Sequence, residues 1–216
     1  MKFPIFASIL VFCIWLAYEI RKANKNSDKS LRAFREREAK ADATRKQSLD
    51  SLQYIVISDE ILNLLNENFP EELKETASHL ERLKDAKTVN LSNITNTDLK
   101  LMYGAANLPL LTEYDQNYLL LTRSLIEMGE YYNEHKDFVK AKLVLEFAVS
   151  TGCDSVGVYK ILTDIYNSEN DTAKLNYLKS SASMLNGITK GPIMDYLYSV
   201  APQDKSLEES IFDILD

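Results

Sequence analysis

Residues 118–187 read YLLLTRSLIEMGEYYNEHKDFVKAKLVLEFAVSTGCDSVGVYKILTDIYNSENDTAKLNYLKSSASMLNG, and their spacing decides the fold. A helix through YLLLTRSLIEMGEYYNEH runs into His135-Lys136-Asp137, where Asp137 is placed to cap a second helix, FVKAKLVLEFAVSTG, closed by Gly152. Asp154 precedes SVGVYKILTDIYNSE, and Asn170-Asp171 precedes TAKLNYLKSSASML, which ends near Asn186-Gly187. Apolar residues recur at helical spacing throughout, so the stretch predicts four helices in two antiparallel hairpins.

The hairpins resemble the tetratricopeptide repeat, a helix-turn-helix unit of about 34 residues. With Thr122 as repeat position one, Gly129, Tyr132, Ala141 and Ala148 fall on the family's small and aromatic positions. A second copy from Val156 places Tyr159, Leu162, Tyr166 and Ala182 in register; Thr163 replaces the small residue expected there, and so does Leu175. In that family the first helix of each hairpin lines a concave surface that holds a protein or peptide. The resemblance therefore implies partner-binding residues Arg123, Ile126, Glu130 and Asn133, followed by Gly157, Lys160, Asp164 and Asn167. Glu130 stands where the family's clamp for a free C-terminus uses Asn, which argues against that ligand. The layout, with the NTDLK and NLPLLTEYDQNY stretches, is also similar to bacterial single-pass membrane proteins bearing such a domain.

Upstream, Pro70 precedes EELKETASHLERLKDA, a charged helix with one stripe of Leu73, Ala77, Leu80 and Leu83. Ser58-Asp59-Glu60 starts a further helix over ILNLLNENF. The β-prone run 54–57 faces a candidate partner at 88–91, predicting a small two-stranded element. Asn96 or Thr97 caps a helix ended by Gly104, and Asn107-Leu108-Pro109 reads as a bend. After the hairpins, MDYLYSVAP and SLEESIFDILD predict one or two capping helices.

The N-terminus is of a different kind. Phe3–Ile20, FPIFASILVFCIWLAYEI, holds a single charge, Glu19, and at helical rise spans roughly 27 Å, the thickness of a bilayer's hydrocarbon core. Trp15 and Tyr18 mark one end, and Arg21 and Lys22 follow. A cleaved signal peptide competes with a permanent anchor, but Lys2 alone forms a thin positive start and no small-x-small site follows, which favours the anchor. Residues 21–48 carry ten Lys/Arg against four Asp/Glu, a basic helical neck that retains the rest of the chain in the cytoplasm by charge bias.

The whole chain of 216 residues has net charge -7, and residues 49–216 carry 14 Lys/Arg against 27 Asp/Glu. An acidic surface of that kind repels phosphate backbones, so no nucleic-acid partner is expected. With two Cys and two His, and no Gly-rich phosphate loop, CxxC, HExxH or GxSxG, the sequence offers no catalytic residue, no metal ligand set and no cofactor site. His79 reads as a helix-surface residue and the three Asn-X-Ser/Thr sequons as incidental.

The expected architecture is mostly α: a transmembrane anchor at 1–20, a basic neck at 21–48, a divergent helical region at 49–112, tetratricopeptide-like repeats forming an α-solenoid at 113–187, and capping helices at 188–216. The expected function is a membrane-anchored adaptor, bound to the bilayer through residues 3–20 and holding a protein or peptide at the cytoplasmic face. An exported or envelope structural protein is the alternative; an enzyme with an unrecognised site ranks last.

Overall fold

The structure, a computed structural model, describes residues 3–65 and 69–200, with the side chains of 3–7 and 26 outside that description. It is mostly helical. The helices are α1 (Phe3–Asp42), α2 (Asp59–Asn63), α3 (Lys74–Leu83), α4 (Asn96–Tyr103), α5 (Leu108–Glu134), α6 (Phe138–Ser150), α7 (Val156–Ser168), α8 (Thr172–Met184) and α9 (Lys190–Val200). The expected C-terminal helix SLEESIFDILD lies outside the described residues. The described residues form two compact units, one of 3–50 together with 94–109, the other of 51–65 and 69–93 together with 110–200.

In the first unit, the expected span and the neck as far as Asp42 form one continuous helix, α1, while the expected helical neck's last residues, 43–48, leave the helix as a connection. Among the described residues no helix is long and apolar enough to cross a membrane. The side chains of residues 3–7, which open the expected span, lie outside that set. The neck is not solvated throughout. Its last turns meet α4: Lys100 Nζ lies 3.0 Å from Glu38 and 2.7 Å from Asp42, Arg37 pairs with Asp98, and Thr97 donates to Glu38. Ala41 and Leu99 are buried. Thr95 rather than Asn96 or Thr97 caps α4, its Oγ1 accepting from the Asp98 N–H at 3.2 Å. Asn107-Leu108-Pro109 is not a bend: a short 3-10 turn at Ala105–Asn107 leads into α5, where Pro109 falls in the first turn, a place that needs no proline N–H.

In the second unit, the two hairpin turns have the same geometry 34 residues apart (132/166, 136/170, 137/171 and 140/174). Lys136 and Asn170 take φ of 60° and 55°, a left-handed conformation that reverses the chain. The amide of Asp137 then donates to Tyr132 O and that of Asp171 to Tyr166 O, both at 2.9 Å. Each Asp side chain caps the next helix, Asp137 Oδ1 accepting from the Lys140 N–H at 3.2 Å and Asp171 Oδ1 from the Lys174 N–H at 3.0 Å. Asp137→Ala and Asp171→Ala should each cost about 1 kcal/mol in equilibrium denaturation, with Asn at either position recovering most of it.

The helix pairs pack on a common core. Leu125, Met128, Tyr132, Val144, Leu145, Ala148, Tyr159, Leu162, Tyr166, Leu178 and Ala182 share one core, which α9 extends with Ile193 and Leu197. α9 also starts 34 residues after α7 (156/190). On the other side α3 runs antiparallel to α5, because Thr76 meets Glu127 at 2.7 Å while Glu72, in the 3-10 turn Glu71–Leu73 that precedes α3, meets Tyr131, one turn later on α5. Of its expected stripe, Leu73, Leu80 and Leu83 are buried and Ala77 is half-buried.

The two-stranded element does not form; no strand occurs among the described residues. The segments do meet, Ile55 N–H donating to Thr88 O at 2.8 Å, but the ladder stops there. Val89 N–H is taken by Tyr114 O of α5 and Leu91 N–H by the Asp115 carboxylate, so the amides that a partner strand would use are bound to a helix.

Candidate functional site

Helical spacing places Arg123, Ile126 and Glu130 of α5 on one face, since residues three and four apart are neighbours. They line a shallow groove of about 420 Å³ with Leu119, Thr122 and Glu127. Arg123 and Glu130 are exposed, whereas Ile126 and Asn133 are half-buried. Glu130 reaches the start of α7: a Cβ placed on Gly157 would lie 3.7 Å from its Oε1. Three of the first copy's four expected residues thus share a surface, which carries both signs of charge beside an apolar floor, while Asn133 is not among the groove's lining residues.

The second copy is different. Lys160 and Asp164 of α7 are exposed, but both are engaged by Tyr196 of α9: Lys160 Nζ stands 5.0 Å from the centre of that ring, and the Tyr196 hydroxyl donates to Asp164 Oδ1 at 2.6 Å. This hydrogen bond to a carboxylate, then burial, raises the Tyr196 pKa. Asn167 is exposed near the end of α7. A cation over a ring and a charge-assisted hydrogen bond bind α9 to α7, so these two residues act first as internal contacts.

A larger groove lies elsewhere, between the second helices of the hairpins. About 600 Å³ is lined by Leu143, Glu146 and Phe147 of α6 and by Asp171, Lys174 and Tyr177 of α8, with Ser58 and Glu60 at the start of α2. Glu146 ties three helices together: Lys174 Nζ is 2.8 Å away and the Tyr166 hydroxyl also donates to it. Burial and that carboxylate push the Tyr166 phenol upward. Sequence reasoning passed this groove over. The available signal was Leu143 and Tyr177, which occupy the same repeat position (143/177) on the outward side of α6 and α8.

Cys153 and the two imidazoles, His79 and His135, each have a defined surrounding. Cys153 is buried, which pushes its thiol up to about 11 and keeps it protonated. His135 stacks on Tyr131 with ring centres 4.0 Å apart and donates from Nδ1 to Tyr131 O, while His79 Nε2 lies 3.9 Å from Glu75. Among the described residues no group of three or more His, Cys, Asp or Glu is placed to hold a metal ion. No protein-family model matches the chain, and no match was found among curated proteins or solved structures.

Proposed function

We propose that the chain is a membrane-tethered adaptor: residues 3–20 hold it in a bilayer, and a tetratricopeptide-like helical domain on the cytoplasmic side holds a protein or peptide partner. One observation carries the tether. Ile9, Leu10, Val11, Phe12, Ile14, Trp15, Leu16, Tyr18 and Ile20 are all exposed, each at 40% or more. Consecutive exposed residues at 9–12 cover a full helical turn, so the apolar surface has no polar side on which to face water. Burying each such side chain is worth about 1.5–3 kcal/mol, and lipid supplies that burial on all sides at once. The same helix continues into Arg21, Lys22 and Lys25, within reach of headgroups.

The adaptor reading is supported by the hairpin turns that recur with one geometry and by the mixed-charge groove at Arg123, Ile126 and Glu130. Confinement to a membrane raises the effective concentration of such a module for partners at the same surface. The full chain should stay with membranes through alkaline extraction, be released by detergent, and lose a C-terminal tag to protease only after cells are opened. Recovery of a shortened chain from the medium, beginning after residue 17, overturns the tether. For the groove, Arg123→Glu with Glu130→Lys changes two exposed side chains, so stability should move by no more than about 0.5 kcal/mol. Partners captured by the wild-type chain should be lost; their undiminished capture overturns the assignment.

A further inference from the structure

We infer that the groove between α6 and α8 is a second docking surface, and that its occupant is a segment of a partner protein presenting a Lys or Arg beside a Leu or Phe. This surface is separate from the α5 groove and does not depend on it. Its walls are fixed from behind: Val144 and Ala148 on α6 and Leu175 and Leu178 on α8 are buried in the core, so the groove belongs to the packed domain. Among the described lining residues, Glu60, Glu146 and Asp171 stand against one cation, Lys174, which is already 2.8 Å from Glu146. Tyr177 is 45% exposed, a large aromatic surface beside those carboxylates, and Phe147 is half-buried next to it.

Charge complementarity selects the occupant. An acidic segment or a phosphate backbone would meet three carboxylates in a part of the chain that carries 14 Lys/Arg against 27 Asp/Glu. A wholly apolar segment would strip water from Glu60 and Asp171 without replacing it. A guanidinium or ammonium group answers both costs, since it pairs with Glu60 and Asp171, Glu146 being already held by Lys174 and Tyr166, and lies against the Tyr177 face, while a neighbouring Leu or Phe covers Leu143 and Phe147.

The test uses the full chain in phosphatidylcholine nanodiscs and three short labelled peptides, followed by fluorescence anisotropy at about 0.15 M salt with empty nanodiscs as the blank. The first alternates Arg and Leu, the second replaces Arg with Glu, and the third replaces Leu with Ala. The Arg/Leu peptide should bind, and each of the other two should bind about ten-fold more weakly or not at all. Tyr177→Ala, which changes no charge, and Glu60→Lys should each weaken the Arg/Leu peptide about three- to ten-fold, with thermal unfolding unchanged. The Arg123→Glu, Glu130→Lys chain should bind it like wild type, which separates this groove from the α5 surface. Absence of Arg/Leu binding, equal binding of the Arg/Ala peptide, or affinity indifferent to Tyr177→Ala overturns the proposal.

Discussion

Gly129→Val should abolish cooperative folding of the second unit, and Gly129→Ala should destabilise it by up to about 2 kcal/mol despite alanine's higher helix propensity. A Cβ on Gly129 would stand 2.1 Å from Leu145 Cδ2 and 2.4 Å from Leu145 Cγ. Because Cγ is the branch point, rotating the end of the leucine does not clear the contact; the side chain must leave its rotamer or α6 must move away. Leu145 is fully buried, as are Val144 and Ala148 on the same helix, and a close-packed interior resists either adjustment. Propensity favours Ala over Gly by about 1 kcal/mol inside a helix, and overpacking typically costs about 1–3 kcal/mol, so the clash wins narrowly for Ala and decisively for the larger, β-branched Val. Gly157→Ala is the control. Its Cβ would meet Glu130 and Ser155 no closer than 3.7 Å, an ordinary contact, so propensity acts alone and the variant should be more stable by about 0.5 kcal/mol. Denaturant midpoints of the two Ala variants should shift in opposite directions; a shift of the same sign refutes the close-approach account of the α5–α6 pair.

That Asp137 and Asp171 cap helices was readable beforehand because a cap acts within its own next turn, whereas Gly129, Tyr132 and Tyr166, which act across helices, were readable only through the resemblance to a 34-residue repeat; a helical face, in turn, needs only its period. Arg123, Ile126 and Glu130 share a groove for the same reason. What escaped the sequence depends on which distant backbone arrives. Val89 and Leu91 have the composition of a strand, but their amides are taken by Tyr114 and Asp115 of α5. Pro109 is compatible with a bend and with a first helical turn, and only the 3-10 turn before it decides. Lys160 and Asp164 face outward on α7 by spacing, yet Tyr196 occupies both, which no periodicity in α7 reveals. The groove between α6 and α8 was hidden in the same way, since Leu143 and Tyr177 become neighbours of Glu60 only through the position of α2.

Gly104→Ala should open the first unit where α4 meets the end of the neck. Gly104 has φ of 88°, a conformation that costs an L side chain roughly 1–2 kcal/mol before any contact is counted. A Cβ there would also lie 2.4 Å from Arg45 O and 2.7 Å from both Arg45 C and Lys46 Cα. All three are backbone atoms, so no rotamer change relieves the overlap and the 43–48 connection must withdraw. Withdrawal breaks the bond from Gln47 N–H to Tyr103 O at 2.9 Å and that from Asn107 Nδ2 to Gln47 O at 2.8 Å, each worth about 1 kcal/mol net, and leaves buried Asn107 with one partner fewer. Lys100→Met, by contrast, removes the amine between Glu38 and Asp42 without touching backbone, and ion pairs near the surface contribute little, so its effect should be the smaller. Glu38's pKa is lowered by the Thr97 and Lys100 hydrogen bonds, so its contribution is present above the ordinary carboxylate range and fades as pH falls through the lowered value. Hydrogen exchange at the amides of α4, including the Gly104 N–H bonded to Lys100 O, should accelerate strongly in Gly104→Ala and modestly in Lys100→Met at neutral pH. Exchange in Gly104→Ala as slow as in the wild type would mean that the close backbone approach does not hold α4 against the neck.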